Sequence, residues 1–320
     1  MRSLILFLIG LGAAALSIGA DLNPGRPTHV VVPYGTGGGT DIASRIISQQ
    51  LSEQLGRPFV VENRPGASGT VGSGYVAKAA PDGYTLAMAD PSWTTVGGLY
   101  KALPYDVARD FSAISQLIRV PNALVVRAAP NMTTLKDFIA QAQQNPGKLN
   151  FGSSGPGGIN HLAPELFKKS AKLNIVHIPY KSGGETITGL LGDQVQMLIA
   201  PVLSVLPFIQ SGKMRALAVT TDGKRVPSLP DVPSMSEAGI AGMDVYYWAG
   251  LVGPAGIARN VVASLQAEIV KALAAPAVRD KFTAQSAEMV GSTPDAFATH
   301  IRNEIQRWGE VIKLAGIKPE

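Results

Sequence analysis

Residues 29–62 read as a strand, a glycine-rich loop, a helix and a second strand. Residues 29–32 are a short run rich in β-branched side chains, typical of a buried strand, and residues 33–41 contain four glycines. Apolar residues then recur at helical spacing as far as Leu55, and Gly56 ends the helix. Residues 59–61 form the next strand. Two strands joined through a helix by short connections are a βαβ unit, which predicts a parallel sheet.

The same succession returns in the middle of the chain. Residues 149–151 are a predicted strand, residues 152–160 a loop of Gly, Ser and Pro, and residues 161–172 a helix. The remaining elements of this second set are strands at 175–178, 195–199 and 216–220 and a short helix at 186–191. Two sets of βα units predict two lobes. We expect the extended segments 117–126 and 246–252 to cross between them.

The C-terminal part of the chain is helical. Thr293 followed by Pro294 is a favourable start for a helix, with Thr as the N-cap and Pro in the first turn. The residues that follow at helical spacing form one apolar stripe of Phe297, Ile301, Ile305, Trp308 and Ile312. Such a stripe predicts a helix docked on a core.

Composition excludes several classes of protein. Of 320 residues, 46% are apolar and 16% charged, which allows large buried cores, and the net charge of +5 is scattered along the chain without basic clusters. We therefore expect no nucleic-acid partner. The chain has no cysteine, so it has neither disulfides nor thiolate metal sites, and its four histidines lack paired ligand spacing. The prediction is that no metal is bound.

The first twenty residues have the pattern of a secretory signal. Arg2 precedes an apolar stretch at residues 4–18, which ends in Gly19 and Ala20 before polar sequence begins. The stretch is shorter than the ~20 residues that a membrane span requires. We predict a signal peptide at residues 1–20, cleaved near Ala20, and hence an exported protein.

The first glycine-rich loop is a candidate anion-binding site. The first amides of a helix lack acceptors within the helix, and the helix dipole places partial positive charge there. Glycines at 35, 37, 38 and 39 would let a ligand approach those amides without any basic side chain. The alternative is a tight turn that needs positive φ, with Thr40 as the N-cap.

The second glycine-rich loop, residues 152–161, offers the same arrangement. Ser153 and Ser154 add hydroxyl groups. His161 either contacts a ligand or hydrogen-bonds to its own loop. If the two loops face each other, they would hold the two ends of a dicarboxylate, one in each lobe.

Enzyme motifs are absent or incomplete. There is no Walker A motif and no G-x-S-x-G elbow. Residues 35–40 fail the dinucleotide pattern at their last position, and residues 72–77 match it without an adjoining apolar strand. We predict neither catalysis nor a cofactor. An α/β transferase or oxidoreductase is the weaker alternative.

Together these segments resemble one family, the Bug-type solute-binding proteins of tripartite tricarboxylate transporters. The matching pieces occur in order along nearly the whole chain after the leader. They include Pro33-Tyr34 with its glycines and Pro81-Asp82-Gly83-Tyr84. The full set is residues 33–41, 62–69, 81–86, 103–106, 110–111, 151–155, 161–163, 165–168, 179–181 and 190–195.

The resemblance implies an α/β, type II periplasmic-binding-protein fold with two Rossmann-like lobes and a hinge of crossing strands. On this basis lobe 1 comprises residues 21–121 and 250–320, and lobe 2 residues 122–249. It further implies a periplasmic monomer that delivers a small organic carboxylate (mono-, di- or tricarboxylate) to a two-subunit integral membrane permease. A ligand-dependent sensor is the alternative role. The ligand-binding positions that the resemblance implies are Tyr34, Gly38, Gly39, Thr40, Asp41, Ala67, Ser68, Ser153, Ser154, Gly155 and His161.

Three positions depart from the family pattern. Gln196 stands where the family usually has an acidic residue, and Glu185 where a small residue or proline is common. Trp93 lies where smaller polar residues are usual. We add Trp93 to the predicted binding residues, because its ring would stack on an aromatic acid if it reached the cleft. The alternative is that it packs against the edge of the lobe.

Overall fold

The computed structural model describes residues 25–314, so the predicted leader at residues 1–20 lies outside the described residues. The strands are β1 (Thr28–Val32), β2 (Phe59–Asn63), β3 (Thr85–Ala89), β4 (Phe111–Arg127), β5 (Asn150–Ser153), β6 (Val176–Pro179), β7 (Leu198–Pro201), β8 (Met214–Val219), β9 (Tyr246–Pro254) and β10 (Glu288–Met289). The helices are α1 (Gly39–Leu55), α2 (Thr70–Ala77), α3 (Pro91–Thr95), α4 (Leu135–Gln144), α5 (Ile159–Ala171), α6 (Gly183–Leu191), α7 (Val202–Gln210), α8 (Arg259–Ala274), α9 (Pro276–Thr283) and α10 (Pro294–Leu314).

No single helix within residues 25–314 is long and apolar enough to cross a membrane. One bent pair, α8 with α9, passes by length and composition alone. Several apolar side chains of that pair, including Leu265, Ile269 and Phe282, are buried in the core.

The first lobe is built on a six-stranded sheet in the order β10-β4-β9-β3-β1-β2. β1 is parallel to β2 and β3, as the βαβ pattern predicts, and β9 is antiparallel to β3. Val30, Val31 and Val32 of β1 are fully buried. A central parallel strand is covered on both faces, which explains why it is apolar without alternation.

The second lobe combines antiparallel and parallel pairs. The C-terminal half of β4 pairs with β7 and β8, and β5 is parallel to β6. A parallel bridge between Phe151 and Met197, the residue before β7, links the β5–β6 pair to the start of β7. The helices α5, α6 and α7 therefore begin at the same edge of this lobe, after β5, β6 and β7.

A single strand, β4, belongs to both lobes. Its residues 111–121 pair with β9 in the first lobe, and residues 122–127 pair with β7 and β8 in the second. The chain returns to the first lobe through β9. Two strands thus connect the lobes, and the predicted two-lobed α/β fold is confirmed. The predicted boundaries at residues 121 and 250 fall inside these two strands.

The C-terminal helix α10 packs against both lobes. The hydroxyl of Thr293 accepts a hydrogen bond from the Ala296 amide at 3.3 Å, as expected of an N-cap. Phe297 is buried in a first-lobe cluster, whereas Trp308 and Ile312 are buried in the same cluster as the apolar residues of the second lobe. The predicted stripe therefore bridges the two lobes.

Several element limits differ from the sequence prediction. The helix after the first glycine-rich loop begins at Gly39 with Gly38 as its N-cap, so Thr40 lies inside the helix. The sequence analysis did not predict α7, because it follows β7 without an intervening loop. Pro201 ends β7 and serves as the N-cap of α7.

Candidate ligand-binding site between the lobes

A cavity of about 50 Å³ lies between the lobes, with room for only a few water molecules. It lies beyond the carboxyl ends of β1, β3, β5 and β7, which is where ligands bind in open α/β sheets. Its lining residues are Tyr34, Gly35, Gly38, Gly39, Thr40, Asp41, Asp90 and Ser92 before β4, Tyr247 on β9, and Ser154, Ile159, Asn160, Gly183, Thr186, Ile187, Ala200, Pro201 and Ser204 in the second lobe.

Four helices begin at the wall of this cavity. They are α1 from the first lobe and α5, α6 and α7 from the second, and residues from the first turn of each line the cavity. Neither α1 nor α7 has a side-chain cap on its N-terminus. Each helix contributes partial positive charge at its N-terminus, and α1 and α7 also contribute first-turn amides without a side-chain cap. Helix N-termini favour negatively charged groups nearby.

The N-termini of α1 and α6 approach each other closely. A Cβ built on Gly184 would lie 2.6 Å from the carbonyl oxygen of Thr36, and one built on Gly183 would lie 3.1 Å from the Cα of Gly38. Gly37 has a φ of +83°, which side-chain-bearing residues rarely adopt. The glycines therefore allow the backbones of the two lobes to meet beside the cavity.

The amides of the second glycine-rich loop are partly used within the protein. Gly155 donates to the Ser153 hydroxyl at 3.1 Å, and Gly157 donates to Nδ1 of His161 at 2.8 Å. The Ile159 amide donates to the Ser92 hydroxyl at 3.0 Å. The backbone of this loop thus contributes less to the cavity than the sequence analysis expected.

Side chains of the second lobe supply other hydrogen-bond donors. The Ser154 hydroxyl donates to Oδ1 of Asn160 at 3.1 Å, which leaves the amide nitrogen of Asn160 available at the cavity wall. The Ser204 hydroxyl is buried and has no hydrogen-bond partner within residues 25–314. Both groups can donate a hydrogen bond into the cavity.

Ser153 and His161 do not line the cavity. The Ser153 hydroxyl lies 2.5 Å from Nε2 of His177, and the rings of His161 and His177 stack with centroids 3.9 Å apart. Burial lowers the pKa of His161 and lowers that of His177 to about 3, so both rings are neutral at pH 7. The two rings contact the second glycine-rich loop through the Gly157 amide and the Ser153 hydroxyl.

Three predicted residues lie in a neighbouring cavity of about 670 Å³ between the lobes. Ala67, Ser68 and Gly155 line it, and Tyr34 and Ser154 line both cavities. The Ser68 hydroxyl donates to the carbonyl oxygen of Pro156 at 3.1 Å and so links the lobes directly.

Trp93 is outside both cavities. It is 2% exposed, and its ring packs edge to face on Phe111 at 5.0 Å. This placement matches the packing alternative. The structure therefore brings together Tyr34, Gly38, Gly39, Thr40, Asp41 and Ser154 of the predicted set at the smaller cavity.

Asp41 is held by its own neighbours. It accepts hydrogen bonds from the Gly37 amide, from Arg45 and from Asn63. Burial opposes its ionisation, but the bonds from Arg45, Gly37 and Asn63 outweigh burial and lower the pKa of Asp41. An ionised Asp41 with these partners fixes the loop.

A second carboxyl group, Asp90, was missed by the sequence analysis. It follows β3 directly and accepts from the Trp93 amide, from the Tyr34 hydroxyl at 3.0 Å and from the Thr40 hydroxyl at 2.9 Å. Tyr247 in turn donates to the Thr40 hydroxyl at 3.2 Å. Burial raises the pKa of Asp90 to about 6. No Lys or Arg side chain of the described chain lines this cavity.

The chain is similar to known proteins over most of its length. A profile described as the tripartite tricarboxylate transporter family receptor matches residues 43–317. Among solved structures, the periplasmic binding protein BugD superposes with a TM-score of 0.89, at 32% identity over 93% of this chain and 100% of that one.

Two further similar structures contain carboxylates. R. palustris Rpa4515, solved with adipate, has a TM-score of 0.89 and 36% identity, covering 93% of this chain and 99% of that one. MatC from Rhodopseudomonas palustris, with bound malate, has a TM-score of 0.85 and 31% identity, covering 90% of this chain and 99% of that one. The predicted periplasmic-binding-protein fold is confirmed by these likenesses.

Proposed function

Since the chain belongs to the receptor family of tripartite tricarboxylate transporters, a family of periplasmic solute-binding proteins, we propose that it captures a small organic carboxylate by closure of its two lobes. The proposed site is the cavity lined by Tyr34, Gly38, Gly39, Thr40, Asp41 and Ser154, together with Asn160 and Ser204.

The observation that carries this proposal is the convergence of four helix N-termini on a cavity without a basic side chain. The positive potential comes from backbone amides and helix dipoles, which favour an anion. Because these donors belong to both lobes, an anion bound between them would hold the lobes together. Binding and closure are then one event.

We propose a mono- or dicarboxylate of about four to eight carbons as the ligand. Such an acid is larger than the cavity of about 50 Å³, and it would extend into the neighbouring cavity of about 670 Å³, which shares Tyr34 and Ser154 with it. The relatives solved with adipate and malate carry acids of this class. Hydrogen bonds to a charged group in a closed site are stronger than neutral ones. An affinity in the micromolar range or better, about −8 kcal/mol, follows for a ligand of this kind.

Isothermal titration calorimetry against a panel of C4–C8 carboxylates tests the proposal, with the corresponding amides as uncharged controls. We expect heat and a raised unfolding temperature with at least one acid and neither with its amide. A Ser204→Ala variant should weaken binding of that acid about fivefold, since it removes a buried donor. Absence of binding to every carboxylate would refute the proposal.

We propose a two-subunit membrane permease as the partner. Closure places both lobes in a fixed relation, so the permease can recognise the loaded form by its shape. Pull-down from native membranes with and without the ligand tests this step. Recovery of the permease only with the loaded protein is expected, whereas recovery of a sensor kinase in its place would identify a signalling role.

A further inference from the structure

Beside the N-terminus of α1, the first-lobe wall of the cavity has a part that presents hydrogen-bond acceptors, and Asp90 is the cause. Asp90 is 4% exposed, and its two carboxyl oxygens accept hydrogen bonds from the Trp93 amide, the Tyr34 hydroxyl and the Thr40 hydroxyl. An ionised carboxylate accepts hydrogen bonds and cannot donate. Each hydroxyl bonded to it must therefore donate its only proton.

The acceptor role of Asp90 fixes the donor of each hydrogen bond in the Asp90 cluster, which consists of Asp90, Tyr34, Thr40 and Tyr247. Tyr34 and Thr40 donate to Asp90, so the proton of Thr40 is already used. The bond between Tyr247 and Thr40 must then be donated by Tyr247. The protons of Tyr34 and Thr40 point to Asp90, and that of Tyr247 points to Thr40. Tyr34 and Tyr247 are left with lone pairs to offer to a ligand.

The charge of Asp90 adds to this effect. Asp41 has Arg45 as a partner, but the partners of Asp90 are hydroxyls and the amides of Ser92 and Trp93. A second carboxylate of a ligand placed at this wall would meet a like charge and lone pairs. A hydroxyl or ammonium group there would donate a hydrogen bond, and an ammonium group would also balance the charge.

The second-lobe wall of the cavity presents hydrogen-bond donors. Asn160 and Ser204 offer donors, and Gly183 at the start of α6 lines the same wall. A ligand is thus oriented with its carboxylate toward these donors and a donor group toward Asp90.

We propose, on the basis of the function proposed above, that Asp90 determines specificity and selects carboxylates that carry a hydrogen-bond donor, a hydroxyl or ammonium group, near the carboxylate. The substrate class is therefore hydroxy acids or amino acids in preference to plain dicarboxylates.

The test uses ligands that differ in one group. Succinate, malate and aspartate share a carbon skeleton, and so do adipate, 2-hydroxyadipate and 2-aminoadipate. For the wild-type protein we expect the substituted acids to bind roughly ten- to hundredfold more tightly than the plain one. The hydroxy and amino members of each series tell the two donor groups apart.

The Asp90→Asn variant reverses the bond direction. Its side-chain nitrogen donates to Thr40, which frees the protons of Thr40 and Tyr247 for the ligand. Asn caps a helix as well as Asp does, so α3 and the fold are retained. The preference for the substituted acids should fall at least tenfold. Asp137→Asn, a substitution at the third residue of α4 in its capping box with Thr134, is the control away from the cavity and should leave the preference unchanged.

A second variant gives an independent readout. Tyr247→Phe removes the hydroxyl lone pairs at the end of the Asp90 cluster. It should lower the preference for substituted over plain acids about threefold. Equal wild-type affinity for plain and substituted acids, or an unchanged preference in Asp90→Asn, would overturn the inference. In either case binding of carboxylates as such would still support the proposed function, whereas failure of every acid to bind would refute that function instead.

Discussion

The hydroxyl of Ser92 accepts a hydrogen bond from the amide of Ile159 at 3.0 Å, and this bond joins the two lobes. Thr95 donates to the carbonyl oxygen of Gly157 at 2.7 Å, and Ser68 donates to that of Pro156 at 3.1 Å. Three first-lobe hydroxyls thus bond to one second-lobe loop. These bonds hold the two lobes together in a closed arrangement. The second-lobe loop contributes its backbone amide and carbonyl groups to them.

Ser92→Ala should weaken ligand binding about fivefold. The substitution leaves the Ile159 amide without an acceptor in the closed form, at a cost of about 1 kcal/mol, while the open form exposes that amide to water. Calorimetry gives the affinity, and small-angle scattering gives the fraction of closed protein. Ser52→Ala is the matched control, because Ser52 accepts the Phe59 amide within one lobe. Equal weakening by both variants would contradict a role in closure.

Gly184→Ala should block closure by steric overlap. The added Cβ would lie 2.6 Å from the Thr36 carbonyl oxygen of the other lobe, whereas in the open form it would face solvent. We expect at least tenfold weaker binding and little change in the unfolding temperature of the unliganded protein. Gly309→Ala on α10, where no atom lies within 4 Å of the new Cβ, is the control. Unchanged affinity in Gly184→Ala would show that the lobes close differently.

The contribution of His177 to the stability of the protein should fall as the pH drops below about 6.5. Asp90, whose pKa is raised in the folded protein, acts in the opposite sense, so the difference between the wild type and a His177 variant isolates this contribution. The pKa of His177 is about 3 in the folded protein and about 6.5 in the unfolded chain, so between these values the unfolded chain binds more protons. At pH 5 the loss is about 1.5 kcal/mol after allowance for partial exposure. Urea denaturation at pH 7 and pH 5 measures it. His177→Phe keeps a stacked ring that does not titrate and should show a smaller loss; an identical loss would point to another group.

Glu304→Leu should destabilise the protein by about 2–4 kcal/mol. Oε2 of Glu304 accepts from the indole nitrogens of Trp248 and Trp308, at 3.1 and 3.0 Å, and the substitution leaves both donors buried and unpaired. Glu304→Gln keeps an acceptor oxygen and should cost less than half as much. Urea denaturation followed by tryptophan fluorescence reports both values. A similar loss of unfolding free energy in the two variants would mean that Glu304 stabilises the protein by packing and not by its hydrogen bonds.

The features that could be predicted from the sequence are local ones. The run of valines at residues 30–32, the glycines after it and the helical spacing that follows all act within one segment, so they predict the βαβ unit and the position of its loop. The crossing strands and the C-terminal helix were also recognisable, because their apolar patterns are long.

The rest of the site depends on packing between distant segments. Asp90 looks like an ordinary helix cap, Ser204 lies in an apolar helix, and Tyr247 lies in an apolar strand. None has a pattern that predicts a ligand. Likewise, the use of the Gly157 and Ile159 amides within the protein requires His161 and Ser92 to be in place, and only the folded structure brings them there.

The sharing of β4 between the two sheets has a consequence for unfolding. Each half of this strand lies inside a different sheet, and losing either sheet would remove the paired neighbours that keep the strand extended in the other. The two halves of the molecule should consequently melt in one calorimetric transition, and neither should be obtainable as a separate stable fragment.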